Sequence, residues 1–130
     1  MAPGITYSEA PDISAQQLAD LFQSSGIRRP IDDLPRLEKM LRHANLVVGA
    51  YDDGRLVGVA RALTDFSYCC YLSDLAVARE HQRRGIGRQL MLRLEQDLEA
   101  RGCPKINLQI RTSNPAAVGF YEELGYVADE

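Results

Sequence analysis

The chain has 130 residues, of which 45% are hydrophobic and 25% charged, values typical of one soluble globular domain. Its net charge of -3 at pH 7 argues against a general nucleic-acid binder, which would carry a basic face. No apolar run approaches the length of a membrane-spanning helix. The three cysteines show no Cys/His spacing typical of zinc. We therefore expect residues 1–130 to form a single cytoplasmic domain that binds no metal, no membrane and no nucleic acid.

In the first third of the chain, the apolar periodicity predicts a short strand followed by two helices. Residues 5–7 form the strand. Ser14 is placed to cap a helix over about residues 15–24, which Gly26 ends. A second helix is predicted over about residues 34–43, since its leucines recur at helical spacing.

The middle of the chain predicts a β-meander. Residues 46–51 and 55–61 are rich in β-branched and apolar side chains, and they flank an Asp-Gly turn at Asp53-Gly54. This pattern favours an antiparallel hairpin. A third strand is predicted over residues 69–77.

The last third predicts a helix, a strand and a helix. The long helix runs from residue 85 to 101, and residues 105–110 alternate like a strand. Asn114 is the N-cap of the last helix, and Gly125 ends it. Residues 126–130 resemble the start of a further strand. A meander followed by a β-α-β unit predicts a mixed α/β sheet with helices packed on it.

The turn before the long helix carries the strongest functional pattern, Gln82-Arg83-Arg84-Gly85-Ile86-Gly87-Arg88. A helix N-terminus offers free backbone N–H groups and partial positive charge. The glycines remove Cβ atoms, and the arginines add charged donors. Together these features predict a cradle for a pyrophosphate. The alternative is a tight turn with solvated arginines. The string lacks the end of a P-loop.

The Gln82–Gly87 string resembles the acyl-CoA signature Q/R-x-x-G-x-G/A of the GCN5-related N-acetyltransferase (GNAT) superfamily. A second segment, Asn114-x-x-Ala117-x-x-x-Tyr121-x-x-x-Gly125-Tyr126, is similar to the family's N-x-x-A-x-x-x-Y-x-x-x-G-[FY] pattern. The order of elements upstream agrees with the family as well.

The resemblance implies a mixed, mostly antiparallel sheet with helices on both faces. Its two central parallel strands, 69–77 and 105–110, should splay apart, and acetyl-CoA should lie in the gap. Family members usually follow the Gly-Tyr strand with a loop and one more strand, and we expect that last strand to be missing here. The resemblance implies these cofactor-binding residues: Leu75, Ala76, Val77, Gln82, Arg83, Arg84, Gly85, Ile86, Gly87, Arg88, Asn114, Ala117 and Tyr121.

Two side chains are candidates for the chemistry. The resemblance implies that Tyr121 donates a proton to the departing CoA thiolate; the alternative is a packing tyrosine. A protonated amine must lose a proton before it attacks, and Asp74 is the carboxylate nearest to the gap in sequence. Competing bases are Asp65, Glu80, Glu122 and Glu123, and a water chain or a neutral amine would need none of them. His81 precedes the cradle, where we expect an exposed turn residue.

The resemblance implies direct attack on acetyl-CoA by a primary amine of a small molecule or peptide. The alternative is an acyl-CoA-binding module without catalysis. Phe22, Phe66, Tyr68 and Tyr71 are candidate walls of the acceptor pocket. Acidic side chains favour a cationic acceptor, whereas Arg28 and Arg29 favour a carboxylate. A homodimer is a further expectation from the family.

Overall fold

The structure, a computed structural model, describes residues 4–9, 11–111 and 113–128. The strands are β1 Ile5–Ser8, β2 Leu46–Asp52, β3 Arg55–Thr64, β4 Cys70–Val77 and β5 Asn107–Leu108. The helices are α1 Ala15–Ser25, α2 Leu34–His43, α3 Ile86–Ala100 and α4 Pro115–Glu123. A single 3-10 turn, Arg79–His81, follows β4. The predicted order of elements is confirmed.

The strands form one sheet in the order β1-β2-β3-β4-β5. The first four pair antiparallel, and β5 pairs parallel with β4, so the mixed, mostly antiparallel sheet is confirmed. The hairpin between β2 and β3 turns at Asp53 and Gly54, which have φ of 50° and 83°. Positive φ at both residues matches the right-handed twist of the flanking strands.

Helices cover both faces of the sheet, as predicted. Alternation along β3 puts Gly58 and Arg61 on opposite faces. A Cβ at Gly58 would meet Leu90 and Ile86 of α3 at 3.0 and 3.2 Å. Arg61 instead donates to the backbone carbonyl of Met40 in α2. One face therefore carries α3, and the other carries α1 and α2.

The helix ends follow from local chemistry. Ser14 caps α1 by accepting from the N–H of Gln17, whose side chain in turn accepts from the N–H of Ser14. Gly26 ends α1 with φ of 83°, a conformation that glycine adopts without steric cost. Asn114 caps α4 through the N–H of Ala117. These predicted caps are confirmed.

Some strands end at residues other than those predicted from the sequence. The last strand has two residues instead of the predicted six, and β3 continues to Thr64. Residues 126–128 are irregular. The rest of the strand expected at the end of the sequence, residues 129–130, lies outside the described residues. Within the described part of the chain, no helix has the length and apolar character needed to cross a membrane.

Candidate active site

The candidate site is a gap between β4 and β5. The two strands pair only at Tyr71 with Asn107 and at Leu72 with Leu108. The remainder of β4, residues 73–77, has no β5 partner. Five strand residues span about 15 Å, so β4 has an edge of about this length without a strand partner, which we call the slot. The predicted splay is confirmed, and Leu75, Ala76 and Val77 lie along it.

A β-bulge sits at the start of this gap. Arg61 pairs with Asp74, whereas Ala62 pairs with Leu72, so Ser73 is an extra residue in β4. A bulge re-aims the side chains of the bulged strand. Here it brings both the Ser73 hydroxyl and the Asp74 carboxylate to the guanidinium of Arg61.

The turn that leads into α3 lies at the other end of β4. Arg83 and Gly85 have φ of 64° and 82°, so the backbone turns sharply before the helix. Gly85 is the N-cap and has no side chain to cap α3, and the first turn contains no acidic residue. The backbone N–H groups there keep their hydrogen-bonding capacity and their partial positive charge.

Charged side chains surround this turn. Arg83, Arg84 and Arg88 are exposed, and none of them forms an ion pair within the described residues. Gln82 holds the turn instead, because its side-chain amide donates to the carbonyl of Val77 at 2.9 Å. The turn therefore combines unpaired cations with free backbone donors, which suits a pyrophosphate.

Gly87 lies in the first turn of α3, close to α4 and to the end of β4. A Cβ at Gly87 would lie 3.5 Å from the ring of Phe120 and 3.8 Å from Val77. The glycine therefore faces a side chain of α4 and one side of the gap.

Tyr121 follows Phe120 on α4. Its half-buried ring packs edge-to-face on Phe120 at 5.0 Å and on Tyr126 at 5.7 Å. Burial raises the pKa of Tyr121 to about 12, so its phenol holds its proton at neutral pH. Its hydroxyl has no hydrogen-bond partner among the described residues. The hydroxyl of Tyr126, by contrast, donates to the carboxylate of Glu95 at 2.6 Å.

Asp74 is enclosed by arginines. Its side chain is 0% exposed; Oδ1 accepts from Nε of Arg29 at 2.5 Å, and Oδ2 accepts from Nε of Arg61. Sequence reasoning predicted Asp74 as a general base, but both of its oxygens are bound by guanidinium groups. Arg61 was not predicted, since an arginine in an apolar strand gives no sign of its partner.

Two of the four competing carboxylates, Asp65 and Glu80, also have structural partners. Oδ1 of Asp65 accepts from three backbone N–H groups in the turn after β3, and these bonds hold the pKa of Asp65 well below its usual range. Glu80 pairs with Arg55 at 3.3 Å. The pKa of Glu80 is lowered mainly by a hydrogen bond from its own backbone N–H and, to a smaller extent, by the contact with Arg55.

The four aromatic residues predicted to line the acceptor pocket have different surroundings. Phe22 is 0% exposed in the core, so it supports α1 and cannot touch an acceptor. Phe66 packs under Arg101, and Tyr68 lies under Lys105, near the end of α3. Tyr71 alone lies at the start of the gap.

His81 differs from the exposed turn residue that the sequence predicted. It is 7% exposed, and its Nε2 lies 2.9 Å from Oδ2 of Asp52. This contact joins the β2–β3 hairpin to the turn before α3. The pairing depends on tertiary structure and has no local sequence signal.

Comparisons with known proteins identify this chain as similar to acetyltransferases. The family model described as the acetyltransferase (GNAT) family matches residues 15–126. An acetyltransferase of Pectobacterium atrosepticum is 37% identical over 108 residues, which cover 82% of this chain and 76% of the relative. The chain therefore belongs to the GNAT family of acetyltransferases.

Solved structures agree on the fold. A GNAT-family acetyltransferase of Streptococcus pneumoniae superposes with a TM-score of 0.79 at 25% identity, covering 95% of this chain and 87% of the other. The PaiA N-acetyltransferase of Thermoplasma acidophilum, solved with coenzyme A, gives a TM-score of 0.78 at 21% identity, covering 96% of this chain and 91% of the other.

Proposed function

We propose that this protein is an N-acetyltransferase that passes an acetyl group from acetyl-CoA directly to a primary amine of a small molecule or peptide. The observation that carries the proposal is the slot beside residues 73–77, which leads to a helix N-terminus without a side-chain cap. Three exposed arginines there form no ion pair within the described residues. A bound acetyl-CoA supplies an activated thioester.

The cofactor residues divide into backbone and side-chain contributors. Leu75, Ala76 and Val77 offer strand backbone along the slot, and Ile86 and Gly87 offer N–H groups at the helix start. A pyrophosphate next to this backbone would be held as in other helix N-terminal anion sites. Charged contacts come from Arg83, Arg84 and Arg88. Gln82 and Gly85 shape the turn, whereas Asn114 and Ala117 fix the start of α4.

Tyr121 is the proposed acid. Its hydroxyl holds a proton and is not engaged by another described side chain. A phenol with a pKa of about 12 is a weak acid beside a thiol with a reference pKa of about 8.5. Tyr121 therefore acts as a hydrogen-bond donor to a departing thiolate, without complete proton transfer. Asp74 is not needed as a base, because a water molecule can take the proton of the acceptor or the acceptor amine can bind in its neutral form.

A thiol-release assay with acetyl-CoA and a panel of amines tests the proposal. The expected result is thiol release that depends on the amine and yields one acetylated amine per thiol. Isothermal titration with coenzyme A provides the second measurement. Tight binding of coenzyme A with no acetylation of any amine would instead indicate the non-catalytic binding module. Failure to bind coenzyme A would reject both.

A further inference from the structure

Two arginines and one carboxylate meet where β4 and β5 separate. Arg29 comes from the loop between α1 and α2, Arg61 from β3 and Asp74 from β4. Two positive groups against one negative group leave the cluster with a net charge of +1. The side chains of Asp74 and Arg61 are 0% and 8% exposed, so this charge is poorly screened by water.

Asp74 and Arg61 form the fixed part of the cluster. Arg61 donates to Oδ2 of Asp74, to the hydroxyl of Ser73 at 2.9 Å and to the carbonyl of Met40 at 3.3 Å. These bonds join β3, the β4 bulge and α2. Asp74 is thereby a counter-ion that orients two guanidinium groups.

Arg29 forms the open part of the cluster. Its side chain is 28% exposed, and it donates to Asp74 and to the backbone carbonyls of Ser73 and Arg28. A guanidinium carries five N–H donors. Three are used here, so two remain without a partner among the described residues.

The position of Arg29 relates it to the gap. It binds the carbonyl of Ser73 at 2.9 Å, and Ser73 directly follows Leu72, the last residue of β4 that pairs with β5. The cluster lies on the sheet face that carries α1 and α2. The cradle and α4 lie at the opposite face, where Phe120 approaches Gly87.

We infer that Arg29 binds a carboxylate of the acceptor, so that the acceptors are amines with a nearby carboxylate group, such as amino acids. Asp74 is a positioning residue that holds Arg29. This inference rests on the proposed function. Surplus positive charge with free guanidinium donors suits a carboxylate, which guanidinium binds through charge-assisted hydrogen bonds. The same charge disfavours a dicationic amine.

Matched acceptors test the inference. The probes are L-alanine, L-glutamate and L-phenylalanine, each against its α-carboxamide, with putrescine as a dication. Thiol release is measured at saturating acetyl-CoA. Each rate is divided by the concentration of acceptor whose amine is unprotonated, because the α-ammonium group of an amide loses its proton at lower pH than that of the matching acid. We expect the acids to exceed their amides about tenfold in kcat/KM, and putrescine to be the poorest.

Variants assign this preference to one side chain. Arg29→Gln should raise the KM for the acids about tenfold and so abolish their advantage over the amides. Arg29→Lys should keep part of that advantage. Arg42→Gln is the matched control, because Arg42 is an exposed arginine that pairs with Glu38 at 3.5 Å. Equal use of acids and amides by the folded wild type would overturn the inference. So would an acid preference that survives in a folded Arg29→Gln protein.

Binding separates this inference from the proposed function and from folding defects. Titration of the wild type loaded with coenzyme A should show binding of L-alanine but not of L-alaninamide. If no amine is acetylated yet L-alanine binds in this way, acetyl transfer is rejected and the carboxylate site stands. If L-alanine does not bind, the carboxylate site is rejected. This measurement needs no variant.

The role of Asp74 has its own readout. In Asp74→Asn, a positioning role predicts that KM rises about tenfold and that the pH profile of kcat/KM keeps its shape. A general base predicts that kcat falls at least a hundredfold and that the rise of the profile with pH is lost, which would overturn the positioning role. If circular dichroism shows that Asp74→Asn is unfolded, KM and kcat are measured for Asp74→Glu instead, and the same two outcomes are compared.

Discussion

The two sides of the gap are built in opposite ways. On one side, the turn of residues 82–88 presents backbone N–H groups and exposed arginines from a single short segment. On the other, Arg29, Arg61 and Asp74 come from three distant segments and are largely buried. The contiguous side suits a cofactor shared by a whole family, and the composite side suits an acceptor that differs between members.

Substitutions on the two sides of the gap should differ in whether they lower the stability of the fold or weaken ligand binding. Removing an exposed arginine that has no partner leaves the fold intact. Removing Asp74 leaves two half-buried or buried guanidinium groups without their counter-ion. Variants on the two sides should therefore affect different measurements, and the following experiments test that separation.

The largest effect is expected for Asp74→Asn. Loss of one partner from a buried ion pair typically costs about 3–5 kcal/mol, and we expect a loss of that size in the free energy of unfolding. Urea denaturation followed by circular dichroism measures it. Glu38→Gln is the control: Glu38 is 69% exposed and pairs with Arg42, so its loss should cost less than about 1 kcal/mol. Equal costs for the two variants would contradict the burial argument.

The second effect is expected for Tyr121→Phe, which removes only the phenolic hydroxyl. If that hydroxyl assists the departure of the thiol, kcat should fall about a hundredfold, while stability changes little because the hydroxyl has no described partner. Because the pKa of Tyr121 is about 12, its proton is retained throughout the neutral range. The wild-type rate should therefore show no decline due to Tyr121 between pH 7 and about pH 10.

Tyr126→Phe is the control for ring packing, since Tyr126 contacts the Tyr121 ring and binds Glu95. A loss of kcat in Tyr126→Phe equal to that in Tyr121→Phe would point to packing and away from the hydroxyl of Tyr121.

The third effect concerns the charged side of the cradle. In the double variant Arg83→Ala, Arg84→Ala, we expect the Kd for coenzyme A to rise about thirtyfold, which corresponds to ~2 kcal/mol. Isothermal titration measures the Kd, and raising the salt concentration should narrow the difference from the wild type. The melting temperature of the double variant should equal that of the wild type within experimental error. An unchanged Kd would reject the pyrophosphate assignment.

The same contrast explains what the sequence could predict. The element order, the caps at Ser14 and Asn114 and the turn at 82–88 depend on neighbouring residues, and each was predicted from local pattern. The cluster around Asp74 depends on a one-residue bulge at Ser73, which sets the face of the strand that each side chain occupies. Phe22 was predicted to line the acceptor pocket, because its local sequence does not show that the residue is fully buried in the core.

The smallest effect isolates the backbone of the cradle. Gly85 has φ of 82°, where a side chain costs about 1 kcal/mol. Gly85→Ala should therefore reduce stability by about that amount and raise the Kd for coenzyme A a few-fold, since the turn must shift. Gly119→Ala is the matched control, because Gly119 lies inside α4 with open space around its Cβ position. Alanine there should raise stability by about 0.5–1 kcal/mol. If both variants bind coenzyme A as the wild type does, the turn's backbone contributes little to the cradle, and the arginines must hold the ligand alone.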